Sequence, residues 1–179
     1  MMWLSVREIR KVGDPEWDDY INFIGLQNLT EIRSLDSWCN PLIDDSSYAE
    51  LFSSCNNYSL DNLGLSSIKE LDLIINQLPK LTSSKYYYLL IADSSRQEID
   101  KDIPYLKFLG YDLSDETWTS SLLNCGRWEG ELMKIAQRVN QYGLLNWEDS
   151  ILASSKLPRA WNNDHHSFVT IWELYQVIN

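Results

Sequence analysis

Residues 103–126 read IPYLKFLGYDLSDETWTSSLLNCG, and the way this stretch is parsed decides the fold. Tyr105, Leu106, Phe108, Leu109 and Tyr111 form an apolar run broken only by Lys107 and Gly110, the composition of a strand covered on both faces. Pro104 stands at the start of that strand, where a missing N–H costs least. Asp112 then reads as a corner and Ser114 as a helix N-cap, with Asp115 and Glu116 in the first turn facing the positive end of the helix dipole. Leu113 and Trp118 take the hydrophobic-staple positions around that cap. Trp118, Leu122 and Cys125 recur on one helical face until Gly126 ends it. A strand feeding a capped helix in this way is the building unit of a sheet with helices packed on it.

Working outward, YYYLLIA at residues 86–92 and FVTIWELYQVI at 168–178 are apolar on both alternating faces and predict two more central strands. About a dozen charged, breaker-rich residues join the first of these to the strand at Tyr105, too few for an easy parallel crossover, which predicts an antiparallel pair. Residues 3–12 predict an irregular strand, and residues 29–36 a strand of mixed polarity at a sheet edge. Helices are predicted after Asp14-Pro15-Glu16, after the Ser47-x-x-Glu50 and Ser67-x-x-Glu70 boxes, across Trp128–Leu132–Ile135–Val139–Tyr142, and from the Asn146-x-x-Asp149 cap to Pro158. The Asn- and Ser-rich residues 56–66 read as a long loop. Together these predict an α+β fold, a mixed or largely antiparallel central sheet with packed helices, formed by residues 1–179 as a single domain.

Composition narrows the function classes. The net charge of −11, with fifteen Lys and Arg, lacks the basic stripe that a nucleic-acid partner requires and suits a basic protein partner instead. Three cysteines, Cys39, Cys55 and Cys125, show neither a disulfide framework nor zinc spacing, and no apolar run is long enough to cross a membrane. Those features, with no signal-peptide core at the N-terminus, predict a cytoplasmic protein with no membrane partner. Oligomeric state is not readable.

Candidate chemistry is sparse. Asp93 and Asp112 follow two predicted strands, but an antiparallel pair puts them at opposite ends, so turn and cap roles outweigh a shared metal. His165 and His166 are the only histidines; adjacent residues on an extended chain point apart, and a metal would need a loop and a third ligand from elsewhere. Cys125 falls at a helix C-terminus, where the dipole disfavours a thiolate. There is no GxSxG, GxGxxG, GxxxxGK or HExxH motif, no catalytic residue is assigned and no cofactor is implied. Two acidic groups remain as surfaces for a basic partner: Asp14, Glu16, Asp18 and Asp19, which also serve a solvated helix start, and Glu98, Asp100 and Asp102 on the loop between central strands.

FLGYDLSDETWTSSLLNCG, the following helix and QYGLLNWEDS resemble a block found in small uncharacterised bacterial proteins, some of which resemble immunity proteins of toxin systems. The block covers about a third of the chain and carries no catalytic residues across. The resemblance implies a compact cytoplasmic protein that blocks a toxin by binding it. The leading expectation is therefore a non-enzymatic, acidic protein-binding module with Glu98, Asp100 and Asp102 as partner-facing residues. The alternatives are a small metal-assisted hydrolase using His165, His166 and nearby carboxylates, and a regulatory subunit of a cytosolic complex.

Overall fold

A computed structural model describes residues 2–11, 13, 29–35, 58–59, 62–78, 80–81, 86–96, 99–100, 102–114, 130–160 and 169–178. The strands are β1 (Met2–Glu8), β2 (Arg10–Lys11), β3 (Glu31–Ile32), β4 (Tyr58–Ser59), β5 (Asn62–Leu65), β6 (Tyr86–Asp93), β7 (Leu106–Ser114) and β8 (Thr170–Val177). The α-helices are α1 (Ile68–Ile74), α2 (Gly130–Ala136) and α3 (Trp147–Ala160). Six strands hydrogen-bond in the order β4-β5-β1-β6-β8-β7, and β2 pairs with β3. The fold is α+β, as the run of two-sided strands and capped helices predicts. The predicted helices after Asp14, after Ser47 and after Ser114 lie outside the described residues.

Two compact units divide the chain: Met1–Ile9, Trp38–Phe108 and Leu174–Asn179 form the first, Arg10–Ser37 and Leu109–Glu173 the second. In the first, β1 is antiparallel to both β5 and β6, with Leu4 opposite Leu63 and Leu90. Met2, Leu4 and Val6 share a face with Leu63, Leu65, Tyr88, Leu90 and Ala92, and α1 seals that face with the fully buried Leu71. The other face of the same strands is buried too, at Ser5, Arg7, Tyr87, Leu89 and Ile91. Burial on both sides explains why YYYLLIA shows no polar alternation, and each fully buried Leu or Ile there contributes roughly 1.5–3 kcal/mol. Arg7 donates its Nε to Ser5 Oγ at 2.9 Å on this buried face.

Several predictions from sequence are corrected. Residues 3–12 contain a regular interior strand, β1, rather than an irregular one. The expected loop at 56–66 holds the β4–β5 hairpin, with Ser59 opposite Asn62; the alternation of buried Leu63 and Leu65 around Gly64 was masked by its polar neighbours. β6 and β7 do not pair, because the C-terminal strand β8 lies between them. It runs antiparallel to β7: Ile178 N donates to Tyr105 O at one end, and Trp172 Nε1 reaches Ser114 Oγ at the other. A strand apolar on both faces gains more between two neighbours than at an edge, and a dozen connecting residues suffice to step past it. Residues 29–36 contribute only the two-residue β3.

At α1 the predicted capping box is displaced by one residue. Ser67 makes no side-chain cap bond; instead Glu70 reaches back to Ser66, accepting from its N at 2.7 Å and its Oγ at 2.6 Å. Those two bonds hold the Glu70 carboxyl below its ordinary range. Ile68, Leu71, Ile75 and Leu78 form the predicted inner face, and the helix passes into a 3₁₀ turn, Ile75–Gln77, before Pro79.

Tyr105, just ahead of β7, donates its hydroxyl to Asp72 on α1. Burial, with that bond and the adjacent negative charge, pushes the Tyr105 phenol up to about 12. Because the folded-state value lies above the unfolded one, the stabilisation is complete below the ordinary value near 10 and disappears as pH rises through about 12. Tyr105→Phe should therefore lower stability near neutral pH, and the gap from wild type should close between about pH 10 and 12, measured by urea unfolding across that window.

Candidate functional site

The second unit is built around the turn that follows α2. Leu132, Ile135, Ala136 and Val139 face a core completed by Leu29, Ile32, Leu113, Leu145, Ala153 and Leu157. The apolar periodicity predicts helix as far as Tyr142, but α2 ends at Ala136. Asn140 supplies the reason. Its Nδ2 donates to Leu109 O at 2.7 Å, and its Oδ1 accepts from Tyr142 N at 2.9 Å and Leu144 N at 3.2 Å. A short polar side chain that satisfies three backbone groups outside a helix competes effectively with one more helical turn.

This turn is laid directly on β7. Tyr111 and Leu145 exchange backbone hydrogen bonds of 2.9 and 2.8 Å. The approach is possible because residue 110 is glycine: its φ is +147°, and a Cβ there would stand 2.7 Å from Leu144 Cβ. Residues 29–35 are stitched to the same region, with Thr30 N and Glu31 N donating to Gln141 O, Arg33 N to Tyr142 O, and the Arg33 guanidinium 5.2 Å from the Tyr142 ring centre.

Asp112 takes a role that differs from the one predicted. It is not a corner: it lies inside β7, fully buried, its carboxylate accepting from Leu35 N and Leu113 N at 2.8 Å each. Ser114 is the last residue of β7 and accepts from Trp172 Nε1 at 2.8 Å; the helix it is predicted to cap lies outside the described residues. A buried carboxylate satisfied by backbone N–H groups ties segments together, and this work occupies Asp112 locally. Asp93 is likewise engaged in its own turn, its Oδ1 accepting from Ser95 N and Oγ.

Beyond Leu145 the chain enters α3 through a reciprocal cap. Asn146 Oδ1 accepts from Asp149 N at 2.8 Å, and its Nδ2 donates to Asp149 Oδ2 at 3.0 Å. Asp149 Oδ1 also pairs with Arg138 at 2.7 Å. On the flank, Lys156 pairs with Glu131, and that cation holds the Glu131 carboxyl below its usual range. The helix runs to Ala160, two residues past the predicted stop at Pro158.

α3 turns three large apolar side chains outward. Trp147, Ile151 and Leu152 are 44%, 45% and 41% exposed, the largest such grouping among the described residues. Trp147 is held from behind by Tyr111, ring centres 5.2 Å apart and tilted by 53°. A half-exposed tryptophan braced by a buried tyrosine, with two aliphatic side chains one helical turn away, has the make-up of a protein-interaction anchor.

Of the partner-facing and metal candidates predicted from sequence, Asp100 and Asp102 fall among the described residues. Asp100 and Asp102 are exposed, and the Asp100 carboxylate is turned inward on its own loop, accepting from Asp102 N at 3.0 Å. Glu98, His165 and His166 lie outside the described residues, as do Cys39, Cys55 and Cys125. Among the described residues no group of three or more His, Cys, Asp or Glu is placed to hold a metal, and no helix is long and apolar enough to cross a membrane. Comparisons with protein-family models, curated proteins and solved structures return no match. The α3 surface was overlooked in sequence because Trp147, Ile151 and Leu152 fit an inward face as readily as an outward one; the Asn146–Asp149 cap, which sets the helical phase, was the available signal.

Three substitutions test how the surface is held. Gly110→Ala should destabilise the protein by about 2 kcal/mol or more, through both backbone strain and overlap with Leu144. Gly130→Ala, at φ +58° with open space around it, should cost about half of that in the same denaturant titration. Asn146→Ala removes both halves of the α3 cap and should cost about 1 kcal/mol, read from the same titration.

Proposed function

We propose that this chain is a non-enzymatic, acidic protein-binding module, of the immunity-like kind that binds a toxin and neutralises it. The observation that carries the reading is the exposed Trp147–Ile151–Leu152 face of α3, presented by a helix capped at its start and braced by Tyr111. Apolar side chains exposed together on a well-anchored helix are more costly to leave in water than to cover, and they serve as the centre of an interface rather than its rim. The net charge of −11 complements this centre by drawing in a basic partner and discouraging acidic ones. The 108–126 and 141–150 blocks resemble small uncharacterised bacterial proteins, some of which resemble immunity proteins, in keeping with the same reading. Asp100 and Asp102, exposed on their loop, are available for steering rather than for the apolar contact.

Immobilised wild-type protein, incubated with extract of its native host, should retain a basic partner at stoichiometric level, and Trp147→Ala/Ile151→Ser protein should lose it. The retained partner, expressed by itself, should arrest growth, and co-expression of wild type should relieve the arrest. Identical retention by wild type and the double variant, or failure of co-expression to relieve arrest, would count against the reading.

A further inference from the structure

The charges around α3 are unequally served. Asp149 is held by Arg138 and Asn146, and Lys156 by Glu131. Glu148 is exposed and has no ion-pair partner among the described residues. It precedes Ile151 and Leu152 by three and four positions, so on the helix surface it is a neighbour of both of those apolar side chains, while Trp147 directly precedes it in the chain. Any surface that covers those side chains covers Glu148 as well. An isolated carboxylate taken out of water opposes association strongly unless a cation arrives with the partner.

The remaining polar groups on this face make no such demand. Ser154 Oγ donates back to Ile151 O at 2.8 Å and Ser155 Oγ to Leu152 O at 2.7 Å, so both hydroxyl donors are already engaged within the helix. Among the described residues of α3, Glu148 is thus the acidic group set beside exposed apolar side chains without an ion pair.

We infer that the α3 surface takes an arginine-bearing apolar segment of the partner, its guanidinium paired with Glu148 beside Ile151 and Leu152; this rests on the protein-binding reading above. Arginine fits better than lysine because its planar fork bonds a carboxylate with two N–H groups and is more weakly hydrated than an ammonium, so it is more readily placed against apolar side chains. A second copy of the chain is a poor occupant: a two-fold pairing of this face would bring Glu148 against Glu148 between molecules that each carry −11.

Three labelled helical peptides, identical leucine- and alanine-rich sequences with arginine, lysine or the neutral isostere citrulline at the centre of the apolar face, provide the test by fluorescence anisotropy with the full chain. The arginine peptide should bind wild type at least about tenfold more tightly than the citrulline peptide, with lysine between them. Glu148→Gln should erase that preference without loss of fold, and Glu148→Arg should shift it to a fourth peptide carrying glutamate. Equal binding of the arginine and citrulline peptides, an unchanged preference in Glu148→Gln, or no binding of any peptide at millimolar concentration would overturn the inference. So would a Trp147-dependent dimer of the chain in sedimentation. The two proposals fail separately: a host partner that depends on Trp147 but is indifferent to Glu148→Gln removes the arginine assignment and leaves the binding function standing.

Discussion

The second unit hangs on one amide side chain. Asn140 stops α2, turns the chain and bonds β7 at Leu109 O, and its backbone closes the turn by pairing with Leu144 and Gly143. Everything that follows inherits its position from that turn. Leu145 is delivered to Tyr111, Asn146 to the start of α3, and Trp147 to the ring of Tyr111. Gly110 is the complementary constraint, since only a residue without Cβ lets the turn come this close to the strand. An asparagine and a glycine, neither with a large apolar surface, thereby decide where the most apolar exposed surface of α3 is displayed.

Two polar groups of β7 are engaged by other parts of the chain. Asp112 is wholly buried yet ties Leu35 and Leu113, and Ser114 receives the indole of Trp172. Polar burial of this kind gives a unit its unique arrangement, because an alternative register would strand a charge or a donor without a partner. It also explains why the carboxylates that sequence motifs draw attention to are poor candidates for chemistry. Asp93 and Asp100 each accept a backbone N–H in their own turns.

Binding chemistry is better served by what the fold leaves uncovered. α3 neutralises Asp149 and Lys156 through neighbours on α2 and the turn after it, yet leaves Glu148 beside Ile151 and Leu152. Apolar area supplies affinity without much selectivity, whereas a charge set inside it penalises every partner that lacks the matching cation. A module with this arrangement rejects the wrong partner through the same residue that pairs with the right one.

Local pattern alone determined the α+β class, the two-sided strands β6, β7 and β8, the inner face of α1 and the capped start of α3, because periodicity and capping act over a few residues and are written contiguously. Tertiary structure decided what depends on neighbours distant in sequence. Nothing in residues 86–114 states that β8 will lie between β6 and β7, or that residues 58–65 hold a hairpin rather than a loop. The helical phase of Trp147, Ile151 and Leu152 is visible in sequence, but which side faces water is set by the packing of Ala153 and Leu157 on a core drawn from four separate segments. Asp112 shows the difference most plainly. By itself it reads as a corner; its place within β7 follows only from the backbone of Leu35, a donor that arrives from a distant part of the chain.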